Sequence, residues 1–134
     1  MALVFTSCDK EEMIGVEGLP NEASTFLTSH FADIKVSNVK KEKEGLSGTE
    51  YTVYLQNGVQ VKFDKNGNWE DVEAPNGQAL PTSFILTKIV EYVQANYPTE
   101  GINSIDKERN CYDVELTNGL DLEFNANGEF VKID

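Results

Sequence analysis

The sequence predicts an α+β fold: two tandem repeats, each a helix followed by a four-stranded antiparallel meander, forming one continuous sheet with the helices on one face. Three observations predict it. First, the second half of the chain restates the first at an offset of 61 residues. Tyr51, Val53, Leu55 and Phe63 return as Tyr112, Val114, Leu116 and Phe124, and Leu19-Pro20 returns as Leu80-Pro81. Second, the apolar period within each copy switches from 3.6 to 2. Third, five of the ten glycines follow an asparagine. Four of these Asn-Gly pairs lie between candidate strands, where they supply the positive φ of a tight hairpin. A repeat of about 60 residues is too long for a solenoid unit, so two small modules supporting one core is the better reading. At 134 residues the chain has room for one compact domain, whereas a lone half would bury too little surface to be stable.

The elements follow in order. Residues 1–18 read as a signal remnant, a lipid-attachment motif and a polar tether. Residues 19–79 are the first repeat and 80–134 the second. In the first, Ala23, Phe26, Leu27 and Phe31 form a helical stripe with Asn21 as cap, a shorter and weaker helix than its counterpart. In the second, Thr82 and Ser83 are cap candidates ahead of Leu86, Ile89, Val90, Val93 and Tyr97 on one face, and Pro98 stops the helix. Strands are predicted over 36–43, 50–55, 59–64 and 69–73, then over 102–109, 111–116, 120–125 and 129–133. The first strand of each set is rich in charge and reads as lying near an edge.

Register follows from the core pattern. If Leu116 and Leu120 both face inward, Thr117-Asn118-Gly119 is a three-residue loop, and Val114 faces Leu122 while Tyr112 faces Phe124. In the first copy Leu55 faces Val59, Val53 faces Val61 and Tyr51 faces Phe63. A two-residue turn at Asn127-Gly128 sets Leu122 against Ile133 and Glu123 against Lys132. Its twin at Asn66-Gly67 sets Val61 against Val72 and Lys62 against Asp71. One residue fits badly: Glu70 would point inward beside Phe63.

Ala2-Leu3-Val4-Phe5-Thr6-Ser7-Cys8 reads as the tail of a secretory signal and is similar to a bacterial lipobox, with Cys8 as the lipidated residue. Asp9, Lys10, Glu11 and Glu12 then resemble a short acidic export tag. The alternatives are an incidental cysteine on a disordered tail and a Cys8–Cys111 disulfide. The expected address is the periplasm, the outer membrane or the cell surface, with the membrane reached only through a lipid anchor.

From Leu19 onward the chain resembles the PepSY-like proteins. In the second copy the resemblance is carried by Leu80-Pro81, Tyr97-Pro98, Ile102, Ile105, Tyr112, Val114, Leu116, Asn118-Gly119, Phe124, Asn127-Gly128 and Phe130. In the first it is carried by Leu19-Pro20, Phe31, Tyr51, Val53, Leu55, Asn57-Gly58, Phe63, Asn66-Gly67 and Trp69. The first copy lacks the Tyr-Pro after its helix and has a longer connection over residues 42–49. The resemblance implies a bacterial envelope protein with a fold similar to the beta-lactamase inhibitor protein. It also implies a part in restraining or modulating peptidases, and it brings no catalytic residues.

With 23 acidic and 11 basic side chains the net charge is −12, which excludes a phosphate-binding footprint and so nucleic acid. On the face away from the core the register sets Glu115 across from Asp121 and Asp113 across from Glu123. Like charges directly opposed are unfavourable, so this quartet is a candidate seat for a basic partner loop or a hard cation; the bland alternative is a solvated face neutralised by Lys132. Tyr54, Trp69 and Phe130 are placed on the same open face as aromatic anchors, against the alternative that Trp69 and Phe130 cap the core. Asp64-Lys65-Asn66-Gly67-Asn68 lacks the spacing of a calcium loop and reads as a turn. His30 is the only histidine and Cys111 has no histidine near it in sequence, so no cofactor, metal or catalytic set is assigned. The expected function is a non-catalytic envelope binding module that inhibits or modulates a secreted or envelope peptidase or hydrolase. The runner-up is an ion- or small-ligand-binding protein using the acidic face.

Overall fold

The computed structural model describes residues 9–44 and 48–134. Its elements are β1 (Asp9–Ile14), α1 (Asn21–His30), β2 (Val36–Glu44), β3 (Thr49–Leu55), β4 (Gln60–Phe63), β5 (Trp69–Glu73), α2 (Thr87–Asn96), β6 (Ile102–Lys107), β7 (Cys111–Leu116), β8 (Asp121–Asn125) and β9 (Phe130–Ile133). Among the described residues the fold is thus α+β, two helices with an open antiparallel sheet of nine strands in chain order. The chain divides into two compact units, Met1–Asn57 with Val61–Trp69, and Gly58–Gln60 with Glu70–Asp134. Cys8 lies outside the described residues.

In the first unit the tether expected over residues 9–18 is replaced by structure. β1 pairs antiparallel with β2, setting Glu12 opposite Lys41 and Ile14 opposite Val39, and Val16–Gly18 form a single 3-10 turn. A polar stretch can be a strand when it occupies an edge, where charge is favoured because it discourages further pairing. β1 makes nine strands rather than eight. The expected cap also shifts: Pro20 is the N-cap and Asn21 the first helical residue, since proline has no N–H to satisfy and a φ suited to a helix entrance. Ala23 is fully buried, and Phe26 sets its edge on Phe63 at 5.5 Å between centroids. Val39, Tyr51, Val53, Leu55, Val61 and Phe63 complete this core.

The turn after β4 is the three-residue loop Lys65-Asn66-Gly67 rather than the expected two-residue one, closed by Asp64 N–H to the Asn68 carbonyl at 2.9 Å. It is locked by Asp64 Oδ1, which accepts from the backbone N–H groups of Asn66 at 2.9 Å and Asn68 at 3.0 Å. Gly67 closes it with φ +91°, and a Cβ there would lie 2.8 Å from the backbone nitrogen of Ala23. Glycine is needed twice over, for its conformation and for the close approach of the turn to α1.

In the second unit, Thr82 and Ser83 do not cap α2. The Ile85 N–H bonds to the Thr82 carbonyl at 3.0 Å in a turn of its own, and the helix starts at Thr87 with Leu86 at the N-cap. α2 has ten residues, as does α1, so the first helix is not the shorter. Ile89 and Val93 are buried. The preceding link is held by Asn103, 2% exposed, whose Nδ2 donates to the carbonyls of Ala74, Pro75 and Gln78 at 3.3, 2.8 and 2.8 Å.

β6, expected near an edge, instead lies between β5 and β7. β7 and β8 pair in the expected register, Tyr112 with Phe124 and Val114 with Leu122. The three-residue loop Thr117-Asn118-Gly119 closes with Leu116 N–H to Leu120 carbonyl at 2.8 Å and φ +91° at Gly119. β8 and β9 also pair Leu122 with Ile133 and Glu123 with Lys132.

The turn between β8 and β9 is not the expected two-residue one. Asn125 N–H donates to the Glu129 carbonyl at 2.8 Å, and the Asn125 Oδ1 accepts from Asn127 and Glu129 N–H groups. The loop is therefore Ala126-Asn127-Gly128. A register shift between Glu123 and Phe124 sets Phe124 against Phe130, leaving Val131 as the extra residue of a β-bulge that restores the outer pairing.

Candidate functional site

Alternation along β5 to β8 buries one face and opens the other. Val72, Ile105, Val114 and Leu122 are core residues, at most 1% exposed. Their neighbours on the opposite face align across four strands in two rows. In the first, Asp71 faces Asp106, Asp106 faces Asp113, and Asp113 faces Glu123, which faces Lys132 on β9. In the second, Glu73 faces Ser104, Ser104 faces Glu115, and Glu115 faces Asp121. The quartet Asp113, Glu115, Asp121 and Glu123 is brought together as the sequence predicts, and it proves to be the centre of a larger acidic surface.

Sequence reading missed Asp71, Glu73, Asp106, Glu108 and Asp134. The oxygens of Asp113, Glu123 and Asp134 lie within 4.8 Å of one another, as do the ligand atoms of Glu108, Cys111 and Asp113. Burial and crowding act together on Asp113. Partial burial, then the negative charges of Glu108, Asp134 and Glu123 and a hydrogen bond with Glu108, push the Asp113 carboxyl above its ordinary value. Lys132 offsets part of this charge, its Nζ lying 3.5 Å from Asp134 and 4.0 Å from Glu123.

The same field acts on Cys111. Burial, followed by Asp113, Glu108 and Glu123, pushes its thiol up, and the Sγ sits 3.9 Å from Glu108 Oε1. A thiol held protonated is a poor nucleophile and a poor metal ligand.

The chain matches the family described as "putative beta-lactamase-inhibitor-like, PepSY-like" over residues 49–132. It belongs to the PepSY-like family. Among solved structures it is similar to a "putative calcium-regulated periplasmic protein" of Bacteroides thetaiotaomicron, at 35% identity and a TM-score of 0.87, covering 92% of this chain and 96% of that one. A "putative periplasmic protein from DUF2874 family" of Bacteroides vulgatus is similar at 33% identity and a TM-score of 0.87, covering 96% and 99%. A third, a "putative periplasmic protein of unknown function" from the same species, is similar at 32% identity and 0.85, covering 94% and 98%. Among curated proteins, none matches. The likeness supports a periplasmic address for this PepSY-like chain.

The three aromatic candidates do not form one cluster with the acids. Phe130 is on the helix side of the sheet, stacked on Tyr92 of α2 at 4.6 Å and 10° and edge-on to Phe124 at 5.9 Å. It caps the core, as the alternative reading had it, because the bulge at Val131 reverses the face of every residue before it. Trp69, half-buried, opens β5. Tyr54, also half-buried, faces Asn38 across the β2–β3 ladder of the first unit. It neighbours Lys40: burial pulls the Lys40 amine down, but Tyr54, Glu42 and Glu11 outweigh that and push it up. A cavity of about 420 Å³ is also in the first unit, lined chiefly by Val16, Leu19, Leu27, Phe31, Ile34 and Val36. Asp113, the carboxylate with the raised pKa, is not among its lining residues.

Proposed function

We propose that this PepSY-like chain is a non-catalytic binding module of the bacterial envelope whose acidic sheet face receives a basic segment of a protein partner. The observation that carries this reading is the pair of cross-strand rows, Asp71–Asp106–Asp113–Glu123 and Glu73–Ser104–Glu115–Asp121. Carboxylates opposed in register weaken the sheet that carries them, and a cationic partner relieves that cost on binding. An active site would combine a perturbed carboxylate with a water-excluding pocket. Here the perturbed carboxylate is on an open sheet, which favours a docking surface over catalysis. A secreted or envelope hydrolase held in check is the partner class that the family resemblance suggests. The 61-residue sequence offset supports a tandem duplication as the origin of the fold. The small-residue approach to Cys8 supports a lipid anchor there, on the periplasmic or outer-surface side.

The test is capture from envelope extract with the full chain, followed by kinetics with the captured protein. Asp113→Asn with Glu123→Gln should slow association and flatten its salt dependence while leaving dissociation nearly unchanged. Association that is indifferent to both salt and this double change would refute the acidic-face reading.

A second reading has its own support. Asp113, Glu123 and Asp134 offer oxygens at ligating spacing, hard donors of the kind calcium takes, and one structural relative is described as calcium-regulated. Titration calorimetry of the full chain with calcium, and with magnesium as control, tests it. Heat that persists unchanged in Asp113→Asn would show that any binding lies elsewhere.

A further inference from the structure

The two edge strands of this sheet are protected to very different degrees. β1 presents Glu11 and Glu12, the charged composition that discourages a further strand from adding. β9 presents Val131 and Ile133, 49% and 53% exposed, with one lysine. Among the described residues β9 pairs only with β8.

Backbone direction singles out one residue on that edge. Asp134 N–H donates inward to the Asp121 carbonyl at 3.0 Å. Successive residues of a strand point their backbone groups to opposite sides. The N–H and C=O of Ile133 therefore point away from β8.

We infer that β9 is a self-pairing edge: two copies of the chain associate antiparallel through a two-fold axis at Ile133. In that register the two Ile133 residues exchange both of their outward backbone bonds, and their side chains meet on the helix side of the sheet. Lys132 falls opposite the partner's Asp134, and Asp134 opposite the partner's Lys132. These are non-hydrogen-bonded positions, where opposed side chains come closest. Within one chain Lys132 already lies 3.5 Å from Asp134, so the charges are placed on the right face. Charge complementarity selects this register. Sliding by one step to set Val131 against Ile133 would oppose the two Lys132 side chains directly, and like charges at that position repel. A two-fold contact also closes on itself, whereas β9 adding to β1 of another copy would propagate as a filament; the charged β1 disfavours that. The contact is small, so association is weak and concentration-dependent.

Sedimentation equilibrium of the full chain, with loading up to about 1 mM, tests this. The weight-average mass should rise from 14.9 kDa towards twice that value. Ile133→Lys should remain monomeric. Lys132→Glu and Asp134→Lys should each weaken dimerisation by about tenfold or more, and the double exchange should restore it to within about threefold of the parent. Far-UV circular dichroism and a urea midpoint on each variant establish that it is folded. A parent that stays monomeric throughout, mass that climbs past the dimer, or a double exchange no better than the single ones would each overturn the proposal.

Discussion

Gly67 and Gly119 offer a matched test of what a turn glycine does here. Both have φ of +91°, and both close three-residue loops between strands. Replacement by alanine imposes the same left-handed penalty on each, roughly 1–2 kcal/mol. Their surroundings differ. A Cβ at Gly119 meets nothing within 4 Å, whereas one at Gly67 would lie 2.8 Å from Ala23 N, 2.9 Å from Glu22 Cβ and 3.0 Å from Pro20 Cβ. Those atoms belong to the entrance of α1, and Ala23 is fully buried, so the helix must move or the turn must open. Overpacking of this kind adds about 1–3 kcal/mol. Gly119→Ala should therefore cost roughly 1–2 kcal/mol and Gly67→Ala roughly 2–5 kcal/mol. Gly128→Ala, which would meet only Leu86, Lys88 and Ile89 side-chain atoms at 3.2–3.7 Å, should fall between. Urea unfolding followed by far-UV circular dichroism measures all three, with unchanged slopes required for comparison. Equal midpoint shifts for Gly67→Ala and Gly119→Ala would show that the turn does not lean on α1 and would refute the packing argument.

Asn103→Leu strips the buried donor from three link carbonyls and should cost about 2–4 kcal/mol; a urea midpoint shift equivalent to less than about 1 kcal/mol would mean that the link is held otherwise. Phe130→Ala removes a stacked ring from Tyr92 and an edge contact from Phe124, with an expected loss of about 2–4 kcal/mol in the same assay, whereas a residue on the open face would show nearly none. Asp113 carries a pH signature. Its folded carboxyl titrates above the unfolded one, so the folded state holds a proton that the unfolded state releases, and stability falls as pH rises through that interval. Asp113→Asn should therefore be more stable than the parent at neutral pH by roughly 0.5 kcal/mol, with the difference closing as pH falls through the carboxylate range; a variant less stable than its parent at pH 7 would contradict the crowding argument.

What the sequence disclosed and what it hid divide along physical lines. The β7–β8 hairpin was legible because its register is local: Leu116 and Leu120 bracket an Asn-Gly loop, and a single core constraint then fixes every pair on both faces. The acidic quartet came with it. The wider rows did not, because Asp71 and Asp106 join them only when β6 lies between β5 and β7, and period-2 patterning tells which face a residue occupies but not which strand is its neighbour. β1 was hidden for a related reason. Asp9–Ile14 has the composition of a solvated tail, and only the ladder with β2 makes it a strand.

Phe130 is the more instructive miss. Counting back by twos from Ile133 puts Val131 inside and Phe130 outside, and a one-residue bulge exchanges them. The sequence did carry a sign of this. Glu70 stands 61 residues before Val131 and was the single residue that fitted the simple register badly, a carboxylate directed inward beside Phe63. Burying a carboxylate costs far more than interrupting a ladder by one residue. A charged side chain at an apparently inward position, directly after an Asn-Gly-x-aromatic turn, is therefore better read as the bulged residue than as a buried charge. That inference moves Phe130 from the open face to the core and leaves the acidic quartet as the surface to test.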